Sequence, residues 1–138
     1  MGKFIHIRSD KFPVLPGEQE EIVNAGMYGK ALAQYLQTKL SELGYETPFV
    51  VAEDWGWWVE IANAPFTFGV CIYAARESAE PADYVCTDGA TGPRKWSWSK
   101  FRFIVTQPLA DKLCDDLTAV FAADEDVTVV GITEEFPF

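Results

Sequence analysis

Between residues 24 and 44 the apolar positions recur at steps of three and four. Tyr28, Leu32, Tyr35, Leu36, Leu40 and Leu43 fall on one stripe, the period of a helix with one buried side. Asn24 is a candidate N-cap, and Gly44 suits the left-handed position that closes a helix. Gly26 and Gly29 weaken the first turn, so the helix is expected to start a few residues after that cap. From about residue 46 to 105 the period shortens to two. PFVVA (48–52), WWVEIA (57–62), PFTFGVCIYA (65–74), DYVCT (83–87) and KWSWSKFRFIV (95–105) read as strands, joined by the turn-rich EDWG, NAP, RESAEPA and DGATGP. Upstream, KFIHIR (3–8) reads as a first strand and SDKFPVLPGEQEE as an ordered loop. A second helix is predicted over 108–123, with Pro108 in its first turn and Leu109, Leu113, Leu117, Val120 and Phe121 as its stripe. VTVVGI (127–132) closes the series. The predicted order is β-α-β-β-β-β-β-α-β. It describes one α+β domain over 1–138, a mainly antiparallel sheet with two helices on one face.

Side chains alternate across a strand, which sorts each predicted strand into two sides. Trp57, Val59 and Ile61 oppose Trp58 and Glu60. Phe66, Phe68, Val70 and Ile72 oppose Thr67, Gly69, Cys71 and Tyr73. Phe101, Phe103 and Val105 oppose Trp96, Trp98, Lys100 and Arg102. The aliphatic and phenyl side of each is a natural floor for the helices. Two helices cover one side only, so the other is expected to face water and to carry Trp58, Glu60, Trp96, Trp98, Lys100 and Arg102, with Gly69 and Cys71 as low ground. Two readings of that side stay open. Cations between indoles keep an open sheet soluble; Trp and Arg are also the residues that anchor protein interfaces.

Composition narrows the choice. The 138 residues suit one domain, and 14% aromatic content supplies a core with rings to spare. A net charge of −10 opposes general binding to nucleic acid or anionic membrane; it suits solubility alone in the first place and a basic partner in the second. No stretch reads as a membrane span or signal peptide. Cys71, Cys86 and Cys114 are odd in number and set among apolar residues, the pattern of buried thiols in a reducing compartment, so a cytoplasmic location is expected.

The usual catalytic parts are sparse. The one histidine, His6, reads as a structural residue, because a base needs a nucleophile and an orienting group beside it. No Cys/His spacing predicts a metal site, and DEDVT (124–128) lacks the glycine and terminal glutamate of a calcium loop. DGATGPRK (88–95) reads as a hairpin loop rather than an anion cradle. Glu53 and Asp54, beside the tryptophans, are the candidate acid or base groups. No cofactor, metal or defined catalytic residue is expected.

The segments EDWGWWVEI, LPGEQEE, VCTDGATGPRKWSW and EEFPF together resemble a family of small, acidic, single-domain bacterial proteins. That resemblance implies a self-sufficient domain and carries no activity or site residue. In general character the chain is also similar to bacterial immunity proteins and phage-encoded inhibitors. The expectation is a non-enzymatic binding module that meets a protein partner through the Trp-bearing side of the sheet. The alternative is a small-molecule binder or small hydrolase using Glu53, Asp54 or Glu60, with Arg102 holding an anionic group. Single strands of nucleic acid stacking on Trp96 and Trp98 are disfavoured by charge. Strand edges or the Trp side are also compatible with a homodimer, and the tail Phe136–Phe138 either packs on the domain or is offered to another chain.

Overall fold

The computed structural model describes residues 3–13, 15–22, 28–62, 68–75, 82–90 and 99–135, with backbone alone over 99–108. Six strands form one antiparallel sheet: β1 (Phe4–Ser9), β2 (Val50–Glu53), β3 (Gly56–Ile61), β4 (Phe68–Ala75), β5 (Ala82–Ala90) and β6 (Thr128–Thr133). Their spatial order is β2-β3-β4-β5-β1-β6. β2 to β5 form a meander, and β1 enters between β5 and β6. Two helices, α1 (Lys30–Glu42) and α2 (Ser99–Ala122), complete the α+β domain.

Both helices pack on the same side of the sheet. Leu32, Leu36 and Leu40 of α1 and Leu113, Leu117 and Phe121 of α2 join Ile5, Ile7, Trp57, Val59, Ile61, Phe68, Val70, Ile72, Tyr84 and Cys86 in one buried cluster. The strand members are alternate residues, as a one-sided floor requires. Burying an aliphatic or aromatic side chain stabilises by about 1.5–3 kcal/mol, so this cluster is the main source of the domain's stability.

α1 begins at Lys30, after Gly29, and Gly44 closes it with φ of 100°. Asn24, the predicted cap, lies outside the described residues. The first turn is capped from elsewhere. Glu18, in a short 3-10 turn (Glu18–Glu20), is 1% exposed, and its carboxylate accepts the backbone N–H of Lys30 and of Leu15, both at 2.9 Å. Gly29 backs onto the core, where an added Cβ would stand 3.1 Å from Trp57 Cδ1.

The second helix departs from the sequence reading. Residues 99–105, predicted as the end of a strand, are helical, and the described residues form six strands where the sequence reading expected seven; residues 95–98 of that predicted strand lie outside the described residues. Phe101, Ile104 and Val105 also extend by threes and fours the series Leu109, Leu113 and Leu117. Their pattern fits either period, and continuity with a long helix decides it. Pro108 therefore stands inside α2 and not at its start. Lacking an N–H, it leaves the Ile104 carbonyl without the usual helical bond from residue 108. The two-sided sorting of residues 96–105 fails over 99–105. Arg94, Lys95, Trp96 and Trp98 lie outside the described residues, as do Phe66 and Phe136–Phe138.

Candidate functional site

The side of the sheet away from the helices is built in cross-strand rows. β2 and β3 are joined by a two-residue turn, Asp54 and Trp55, with Glu53 opposite Gly56. The turn expected within EDWG is present at Asp54 and Trp55, with Gly56 already the first residue of β3. An added Cβ at Gly56 would come within 2.1 Å of the Ile72 carbonyl oxygen, so the turn is pressed against β4. Register then places Val51, Trp58, Cys71 and Thr87 in one row and Glu60, Gly69 and Gly89 in the next. Phe49 accepts the Glu60 N–H at 3.1 Å and so continues the second row at the sheet edge.

The three tryptophans of EDWGWWVEI have three different settings. Trp57 is core, 1% exposed. Trp55 stays at the turn, its ring 5.4 Å from that of Tyr73. Trp58 lies flat across two neighbouring strands. An added Cβ at Gly69 would stand 2.6 Å from Trp58 Cζ2 and 2.3 Å from the Val59 carbonyl oxygen; at Gly89 it would stand 2.4 Å from Trp58 Cζ3. The paired glycines thus form a trough that the indole fills. Its N–H donates to Glu60 Oε1 at 2.7 Å. Trp58 is 8% exposed, so the expectation that this indole stands in water is not met. Cys71 and Thr87 are each 8% exposed and Val85 is 0%, so the middle of this side is dry as well.

Exposure concentrates at the β2 end. Phe49 is 47% and Val51 38% exposed, two positions apart and on the side that carries Trp58. Glu46 and Asp54 are exposed nearby in sequence, and Glu53 and Glu60 are half-buried. At the β1–β5 end, Asp83 Oδ1 accepts from Arg8 Nε at 2.9 Å and lies 3.0 Å from His6 Nε2. Burial would raise the Asp83 carboxyl, but the bonds from His6 and Arg8 outweigh it and hold the group below the usual carboxylate range. His6 is thus part of a hydrogen-bonded contact between β1 and β5.

Lys100 and Arg102 occupy the first turns of α2, and their placement on a strand face is corrected accordingly. Glu60 is tied to the indole. All three thiols are pushed up by burial, Cys71 to about 12, which keeps them protonated and weakly nucleophilic at neutral pH. Asp88, on the helix side of β5, is raised by burial and by the charge of Asp111. At DEDVT, Asp124 accepts from Lys11 and Tyr35, and those bonds pull its carboxyl down to about 2. Among the described residues no group of three or more His, Cys, Asp or Glu is placed to hold a metal ion, and no helix is long and apolar enough to cross a membrane.

An open groove of ≈ 500 Å³ runs between α1 and the end of α2. Tyr35, Lys39, Glu42, Asp116, Asp124 and Asp126 line it, and among the described residues no tryptophan does. The cavity that a Trp-lined catalytic pocket needs is not this one.

Gly69 and Cys71 were expected together as low ground, and Gly69 does lie beneath the Trp58 ring. Sequence reasoning placed Gly89 in a turn and missed its role beneath Trp58. Glu18 was read as part of an ordered loop, and nothing local in the sequence marked it as a buried cap. No family model matches the chain, and no curated protein or solved structure is significantly similar to it.

Proposed function

We propose that the protein is a non-enzymatic binding module, of the inhibitor or immunity type, that engages a basic protein partner with the outer side of its sheet. The observation that carries this reading is the exposed apolar pair Phe49 and Val51 at the β2 end, in a chain of net charge −10. Apolar anchors rimmed by carboxylates give a contact whose encounter is steered by charge and whose lifetime is set by packing. Trp58 and Glu60 form the fixed floor beside the anchors. Trp96 and Trp98 are the further contact residues proposed for this surface. The hydrolase alternative has less support, because Glu60 is already engaged by the Trp58 indole.

The test is cross-linked co-purification from the native host with wild-type, Phe49→Asp and Trp98→Ala proteins. Recovery of one basic partner by wild type, with at least a tenfold loss for Phe49→Asp, is expected. The melting temperature of that variant should fall by less than about 3 °C, as for an exposed site. Equal recovery by wild type and Phe49→Asp would remove this surface from the function.

A further inference from the structure

The last strand, β6, lies at the far edge of the sheet from β2, and its outer edge is unpaired among the described residues. Sheet edges are normally blunted by a charge, a proline, shortness or a bulge. TVVGIT carries no charge and no proline, and it runs six residues. Val130 is 45% and Ile132 41% exposed. A bulge is present: the register steps between His6 and Ile7, which leaves Val130 as the extra residue. Bulges sharpen local twist, which disfavours a long flat partner strand and leaves room for a short one.

Charge decides what such an edge would accept. Glu125 and Asp126 precede the strand, and Glu134 and Glu135 follow it, all exposed. None of the four is in an ion pair with a described residue. A second copy of β6 would bring acidic ends against acidic ends in either orientation, and like charges across a pair destabilise it. An extended segment with basic residues at both ends meets the same edge with attraction at each end.

We infer that β6 is a strand-addition site for a short extended peptide segment whose alternate apolar residues are flanked by Lys or Arg on both sides. Main-chain hydrogen bonds to the open edge would supply affinity, Val130 and Ile132 the apolar contact, and the four carboxylates the direction of charge. This site is separate from the Phe49–Val51 surface, so either can fail without the other.

The probe is a fluorescent synthetic peptide of about ten residues, valine and threonine alternating between paired lysines, the length that spans β6 and its flanks. Anisotropy titration should show saturable binding, several-fold weaker when salt rises from about 0.01 M to about 0.15 M. Ile132→Lys should weaken it at least tenfold while Phe49→Asp leaves it unchanged. The same peptide N-methylated at alternate amides should lose binding, because it keeps the charge but not the donors. Equal binding of the methylated peptide would show charge attraction alone and overturn the inference. So would the absence of saturation, binding unaffected by Ile132→Lys, or a concentration-dependent dimer that Ile132→Lys abolishes.

Discussion

The two sides of this sheet are both dry in the middle, but they reach that state by different means. The helix side interlocks mainly aliphatic and aromatic side chains from β1, β3, β4, β5 and both helices, the familiar dense packing of a protein interior. On the outer side the Trp58 indole is laid across Gly69 and Gly89, with Cys71 and Thr87 in its own row. The first arrangement tolerates exchange of one aliphatic residue for another of similar volume. The second depends on what is missing at two positions, because any side chain there displaces the ring. Counting helices therefore told which side they cover, and it did not tell which side is wet.

Four experiments sharpen or break that contrast. Trp57→Ala, on the helix side, should have the largest effect, a loss of about 3–5 kcal/mol in denaturant unfolding. Trp58→Ala should follow at about 3 kcal/mol, the low end for a buried aromatic, since it also strands the Glu60 carboxylate. A loss below about 0.5 kcal/mol, the usual surface value, would return Trp58 to the status of a free anchor. Gly89→Ala should cost about 1–3 kcal/mol, as overpacking does, and should shift the tryptophan fluorescence spectrum by moving the ring. If Gly89→Ala is neutral, the trough is not filled as described.

The smallest effect belongs to pH. Asp124 is ordinarily a carboxylate of pKa near 3.9 when unfolded, and its bonds with Lys11 and Tyr35 lower it to about 2 in the fold. A depressed folded value means this contribution is complete above about pH 4 and is lost as pH falls towards about 2. Asp124→Asn should therefore lower stability at neutral pH, where the contribution is complete, and converge with wild type as pH falls towards about 2, which flattens the acid limb of the profile in that window. An unchanged acid limb would remove Asp124 from the account.

Much of the architecture was legible because long-range packing agrees with local pattern. The stripe Leu32, Leu36 and Leu40 and the alternation Trp57, Val59 and Ile61 each point to one buried side, and each is buried there. The failure over 99–105 has a physical cause. FRFIV satisfies a period of two and a period near three and a half, so alternation alone could not choose, and Pro108 was a false start mark. The candidate site was less legible still. Exposure at Phe49 and Val51 depends on their being at the sheet edge, which is fixed by strand order and not by composition. The Gly69–Gly89 pairing is set by register between strands about twenty residues apart, and no local rule encodes it.

Glu18 gives α1 its first hydrogen-bond acceptor from a segment that precedes it by twelve residues. The loop and the first helical turn therefore open together or stay shut together. Deuterium uptake at the Lys30 and Leu15 amides should rise in step, and Glu18→Ala should let both exchange early while leaving the far end of the helix protected.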